Sequence, residues 1–219
     1  MRPELDRGQP GASVAREYQR RRSNREARTR EAHPRIGGLL LALREAPQHE
    51  SAFHRGDLGE KAVAESVEQR IADGPAVLLH DRGMPGGRGN VDHLAIAPTG
   101  VFVIDAKDIK GKVRIARPLF RAKKLLISGH NRTKLIDGLD RQVAVVRAAL
   151  DDNGHPDVPV QGVLCFTKAD LPLLGTLKMR GHLLLYRKAL AKRLNADGPL
   201  ESPAIDALAH TLVEALPPA

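Results

Sequence analysis

The chain has no tryptophan, two tyrosines and four phenylalanines, so aromatics make up only 3% of its 219 residues. Its core must be assembled from leucine, valine, isoleucine and alanine, which a hydrophobic content of 42% allows. It holds a single cysteine, Cys165, within the apolar run VQGVLCF. An intrachain disulfide is therefore excluded, no His/Cys cluster has zinc spacing, and a lone thiol in such a run reads as core. Long hydrophobic runs are also missing. The first 35 residues are polar, and the longest apolar stretch near the start, LLLAL at 39–43, is far too short to span a bilayer. No signal peptide is legible, so the expected compartment is the cytoplasm, with no membrane association. Acids are outnumbered, 26 against 35 lysines and arginines, for a net charge of +9. That excess points to an anionic partner, most commonly nucleic acid, although a basic soluble protein without one fits the charge equally.

The basic excess is uneven. Residues 1–35 carry ten arginines against five acids. The stretch SVAREYQRRRSNREARTREAH favours helix by propensity but has almost no apolar stripe. It reads as a solvated helical arm, either a tail or a phosphate-contacting element. Pro34 and Gly37-Gly38 punctuate its end. The expected layout is an arm over 1–50 and one folded domain over 51–219 that includes C-terminal helices.

Within the domain, Val63, Val67 and Ile71 recur at helical spacing and predict a helix over 57–71. Strands are expected at 76–81, 90–97, 100–107, 112–116, 124–129, 160–167 and 182–187. A second amphipathic helix is expected over 133–152, with Leu139, Val143, Val146 and Leu150 on one face. A terminal helix should be capped by Ser202, with Pro203 at its first position. The glycine-rich link RGMPGGRG lacks a Gly-Lys-Ser/Thr ending and reads as a loop rather than a nucleotide cradle. Helix, three or more strands, helix, strand is an α/β order with a mixed sheet.

The best hairpin, NVDHLAIAPTGVFVIDAK, places charge where core residues belong. Residues two apart on a strand share a face, so Asp105 and Lys107 continue the face of Val101 and Val103, and Asp92 that of Leu94 and Ile96. Pairing Ala97 with Gly100 across the Pro-Thr turn sets Asp92 opposite Asp105. Opposed carboxylates in an apolar sheet repel unless one is protonated or a cation neutralises both. Two readings stay open: a metal site suited to Mg²⁺, or an Asp–Lys ion pair at a sheet edge. Counting back along the first helix, Glu60 continues the inward stripe, though Asp57-x-x-Glu60 also fits a capping box. Gln142 faces inward on the second helix, either at the site or as a backbone-satisfied amide. His93 should point to the opposite face from Asp92, either as a core residue or as a support behind the site.

Taken together, Gly59-Glu60, LHD at 79–81, GNVDHLAIAPTGVFVIDAK and Gly111 resemble the nuclease-related (NERD) domain of the PD-(D/E)XK nuclease superfamily, over roughly residues 55–167. The arm and the stretch GHNRTKLIDGLDRQV add to the likeness. The resemblance implies a restriction-endonuclease-like core, αβββαβ, with a mixed central sheet flanked by helices. It implies Mg²⁺- or Mn²⁺-dependent hydrolysis of nucleic acid, DNA being the expected form. Asp92 and Asp105 match the acidic metal ligands, Lys107 the motif lysine, Glu60 the first-helix acid and Gln142 the glutamine of the following helix. Val91 stands where the motif name has proline, and Asp105 where glutamate is commoner. Arg132 and Lys134, with Arg20, Arg21 and Arg22 of the arm, are the expected backbone contacts. The competing class is a nucleic-acid-binding module without cleavage, which has no need of buried acids.

Overall fold

The computed structural model describes residues 4–34, 48–86, 89–117, 122–172 and 175–219, with the backbone alone over 48–58. Gly37-Gly38 and the apolar run at 39–43 lie outside the described residues. A first helix, α1 (Ala12–Ala32), precedes α2 (Gln48–Ile71). Three strands follow, β1 (Val77–Gly83), β2 (Asn90–Ala97) and β3 (Gly100–Lys107), then β4 (Gly111–Ala116), β5 (Lys124–Ile127) and β6 (His130–Asn131). Helix α3 (Lys134–Asp152) leads to β7 (Val160–Phe166), β8 (Ala169–Asp170), β9 (Leu177–Met179) and β10 (His182–Tyr186). Helices α4 (Arg187–Leu194) and α5 (Ser202–Ala215) complete the order.

The central sheet runs β1-β2-β3-β7-β10-β9. β1, β2 and β3 are antiparallel neighbours, whereas β3, β7 and β10 are parallel, so the sheet is mixed. Strand alternation sorts its side chains onto two helical layers. Val101, Val103 and Leu164 pack with Leu139, Val146 and Leu150 of α3 and with Ile205, Leu208 and Leu212 of α5. Phe102, Ile104, Val163 and Cys165 pack with Val63, Val67 and Ile71 of α2 and with Leu190 and Leu194 of α4. This is the mixed α/β sandwich that the sequence leads one to expect, with a smaller sheet, β6-β5-β4-β8, at one side.

The outer edge of β1 is covered by segments from both ends of the chain. His80 N–H donates to Arg7 O at 2.7 Å, Gly83 N–H to Pro217 O at 2.8 Å, and Ala219 N–H to Asp81 O at 2.9 Å. Arg82 is fully buried between these segments, Nε donating to Leu216 O at 2.9 Å and Nη2 to Asp6 O at 3.2 Å.

Several details correct the sequence reading. α2 starts at Gln48, so Asp57 lies inside the helix and cannot be the N-cap of a capping box. The first carbonyl of α5 to accept a helical bond is that of Glu201, from Ile205 N–H at 3.0 Å. Glu201 is thus the cap, Ser202 the first helical residue and Pro203 the second. Val143 is only partly buried, and Ile136 takes its place on the inner face of α3. The short elements β6, β8, β9 and α4 were not anticipated.

Candidate active site

The hairpin adopts the expected register, from Ala97↔Gly100 through His93↔Ile104. Gly100 makes the turn at φ 125°, and a Cβ there would lie 2.5 Å from Pro159 O, so only glycine fits without strain. One step beyond His93↔Ile104 the ladder opens. There Asp92 Oδ2 accepts the Ala106 N–H at 2.9 Å, a side chain replacing a backbone partner. Asp105 sits in register with Leu164 of β7, on the face that carries Val101 and Val103. Both aspartates therefore face the α3 side of the sheet, 8% and 6% exposed.

Lys107 closes the group. Its ammonium donates to Asp105 Oδ1, reaches Ala106 O at 3.0 Å and lies 3.9 Å from Asp92 Oδ2. Burial opposes its charge, but Asp105 and then Asp92 outweigh this and hold its pKa above the usual lysine range. Asp105 is pushed up to about 7, first by burial and then by the Asp92 carboxylate, with Lys107 acting against both. Glu60 enters from α2. Next to it, Gly59 lets the helix approach the end of β3, since a Cβ there would lie 2.9 Å from Asp108 Cβ. Glu60 is 5% exposed, and its Oε2 has no hydrogen-bond partner. Burial first, and then Asp92, raises its pKa to about 9, so without a cation Glu60 is a neutral acid at pH 7.

Gln142 Nε2 donates to Asn90 O at 3.0 Å, two residues before Asp92, while its Oε1 is buried without a partner. The structure thus groups Asp92, Asp105 and Lys107, places Glu60 near enough to feel the charge of Asp92, and sets Gln142 beside the start of β2. Arg132 and Lys134 are exposed at the other end of α3. From Lys134 to Gln142 the helix rises about 12 Å, so these two cations do not belong to the acid cluster.

Two features of the site's surroundings escaped the sequence reading. Asp81 is 2% exposed and left-handed at φ 49°. It accepts Ser13 N–H at 2.6 Å, Ser13 Oγ–H at 2.5 Å and Asn90 Nδ2–H at 2.8 Å. A carboxylate thus anchors the N-terminus of α1, where the helix dipole favours negative charge. The remainder of α1 buries no residue, and between it and the start of β2 lies a cleft of about 700 Å³. Glu17, Arg20 and Arg21 form one wall, and Met84 and Asn90 the other. Arg22 is turned to Glu26 at 2.9 Å.

The second feature is a buried chain. His80 Nε2 lies 2.9 Å from Glu68 Oε1, and His80 Nδ1 lies 2.9 Å from His93 Nδ1. A carboxylate only accepts, so His80 donates from Nε2, accepts at Nδ1 and fixes His93 as the Nδ1–H donor. Burial, then His80, drives the His93 pKa down to about 3, so it is a neutral core residue behind Asp92, as its strand parity implied. Cys165 is a buried thiol with its pKa pushed up to about 12 by burial, which makes it unreactive.

The residues suit a divalent cation, although among the described residues no three His, Cys, Asp or Glu side chains stand together as a ready ligand group. Lys107 pairs with Asp105 and reaches the Ala106 carbonyl, with Asp92 at 3.9 Å, so the Asp–Lys ion pair of the second reading is present, on oxygens of the kind that hold a divalent cation. Two further acceptors, Glu60 Oε2 and Gln142 Oε1, are buried and unused.

A model of the nuclease-related domain matches residues 55–167, over half of the chain. The chain belongs to the nuclease-related domain family. The NERD match begins inside α2, before Glu60, and ends just after β7, so it spans the whole acid cluster and Gln142. Searches of curated proteins and of solved structures find no match.

Proposed function

We propose that this NERD domain is a metal-dependent nuclease that hydrolyses phosphodiester bonds of nucleic acid, DNA in particular. The observation that carries the reading is the ammonium lodged on the Asp92–Asp105 pair: the site already binds a cation. Asp92, Asp105 and the Ala106 carbonyl are the residues that would hold Mg²⁺ or Mn²⁺, with Glu60 as a further acid. Bound there, the ion supplies Lewis acidity at a phosphoryl oxygen. The chain's own groups do the rest. Lys107 would offer its charge to the oxygens of the phosphate as negative charge develops on them. Glu60, as a carboxylate, would accept a hydrogen bond from the attacking water. Gln142 Oε1 orients that water. Arg20 and Arg21 line the adjoining cleft and contact the backbone of the bound strand, while Arg22, Arg132 and Lys134 lie further out and serve long-range attraction.

The test is cleavage of linear, circular and single-stranded DNA and of RNA, with Mg²⁺, Mn²⁺ or EDTA, by the wild type and by Asp92→Ala. Metal-dependent products from the wild type alone are expected. Metal binding measured by calorimetry, without cleavage of any substrate, would return the chain to the class of non-catalytic nucleic-acid-binding modules.

A further inference from the structure

Tyr186 is the one large hydrophobic side chain that stands exposed among the described residues, at 38%. Its hydroxyl accepts the Leu171 N–H at 2.6 Å, so the ring is held in place while part of its surface remains in water. In a chain this poor in aromatics, a fixed and exposed ring calls for an explanation. Its position supplies one. Tyr186 ends β10 and pairs with Phe166 of β7, which pairs in turn with Lys107 of β3. Neighbouring strands lie about 4.8 Å apart, so Tyr186 is about 10 Å from Lys107, at the same level of the sheet. The two meet at the carboxyl ends of parallel strands, where open α/β sheets bind their ligands. Thr167 joins them, its N–H donating to Lys107 O at 3.2 Å.

Beside the ring is a small cavity of about 160 Å³. Ser66, Arg70, Thr167, Tyr186, Arg187 and Lys188 line it, so its walls carry three cations and no acid. Two of the cations are fixed from within. Arg70 Nη1 donates to Ser66 O and Oγ, both at 2.6 Å, and Arg187 Nη1 donates to Ala62 O at 3.2 Å. A nucleotide offers both a flat apolar face and a negative charge.

We infer that Tyr186 is a stacking platform for an unpaired base, and that Arg70, Arg187 and Lys188 receive the phosphate attached to it. The nucleotide would lie next to the one whose phosphate reaches Lys107, an assignment that rests on the nuclease reading of the acid cluster. The substrate class is therefore narrowed to nucleic acid with unstacked bases beside the cut: single strands, frayed ends or flaps. A continuous duplex keeps its base faces against one another and has none to offer Tyr186.

With no tryptophan, tyrosine dominates the emission of this protein, and Tyr18→Phe leaves Tyr186 as its only tyrosine. The experiment titrates that variant with a single-stranded oligothymidylate and with a duplex of equal length, in EDTA, following both fluorescence and anisotropy. Saturable quenching by the single strand is expected. In the wild-type background Tyr186→Ala should weaken single-strand binding about tenfold and leave duplex binding within twofold, while Tyr186→Phe retains most of the affinity. Lys188→Ala should lower both affinity and salt dependence, which keeps the inference testable if Tyr186→Ala misfolds. Unquenched fluorescence at saturation, or undiminished single-strand binding by folded Tyr186→Ala, overturns it. If Tyr186 is quenched but wild type cuts nothing with any metal, the nuclease reading falls and the platform stands. If wild type cuts while Tyr186 stays silent, the platform falls alone. Absence of all nucleic-acid binding removes both.

Discussion

Helix α1 and the β2–β3 hairpin both depend on charge, and they use it in opposite ways. On α1 most guanidinium groups stand in water, and Arg20, Arg21 and Arg22 turn back onto Glu17 and Glu26 of their own helix at 2.5–2.9 Å. Such exposed pairs are screened and contribute little. On the hairpin a handful of charges are buried against apolar layers. There the ionisation of Asp105 is displaced and Lys107 is pinned, and beside the hairpin Glu60 of α2 and Gln142 of α3 keep unused acceptor atoms. The number of charges is thus a poor guide to their effect. The seven arginines of α1 set a field, whereas three buried carboxylates and one ammonium define a chemistry.

The sharpest way to break this contrast is Asp105→Asn. It removes a donor from the buried set, so divalent-ion binding by calorimetry and cleavage should both be lost, the latter to background. Lys107→Ala separates the roles within the cluster. Ion binding should survive or tighten, because the competing ammonium is gone, while cleavage falls by about 10²-fold or more. Full activity in purified Lys107→Ala would remove this residue from the reaction.

Glu60→Gln comes next and is read through stability. The folded Glu60 holds its proton to about pH 9, against an ordinary value of 4.5. Between those limits the folded chain binds more protons than the unfolded one, so the metal-free fold loses stability as pH rises. Asp105 acts in the same direction between 3.8 and about 7. Glu60→Gln should therefore raise stability in EDTA by about 3 kcal/mol at pH 7, and should flatten the decline in Tm between pH 5 and pH 9. A Tm profile identical to wild type would show that Glu60 is ionised in the fold.

The arm should give smaller numbers. Replacing both Arg20 and Arg21 with alanine should lower the slope of log K against log salt by about 1–2 for duplex DNA and leave ion binding untouched. An unchanged slope would place the strand elsewhere than the α1 cleft. Smallest of all, Arg22→Ala should leave Tm where it was.

How much of this was legible depended on how local the determining contacts are. The hairpin register, the shared face of Asp92 and Asp105, and the inward position of Glu60 follow from periods of two and 3.6, together with one proline-containing turn. The early start of α2 did not show, because QHESAFHRG before Asp57 carries no apolar stripe to continue the period. The roles of Asp81 and His80 were hidden for another reason. Asp81 depends on a left-handed backbone and on Ser13, far away in sequence, and His80 on a partner across the strand. Tyr186 showed only as the end of an apolar strand. Its exposure is set by what β7, β8 and α4 leave uncovered, which no local pattern encodes.

The sealing of β1 has a consequence for biosynthesis. β1, β2 and β3 leave the ribosome well before residues 217–219, which supply two of the three backbone bonds along the outer edge of β1. During that interval the sheet presents a bare strand to any other nascent chain, a template for edge-to-edge aggregation. Arg82 stands in the middle of that strand. Two of its three guanidinium nitrogens bond to the chain's own Leu216 and Asp6 carbonyls, and the group is costly to bury against a foreign strand. It therefore acts as a gatekeeper, tolerating the correct closure and penalising the wrong one.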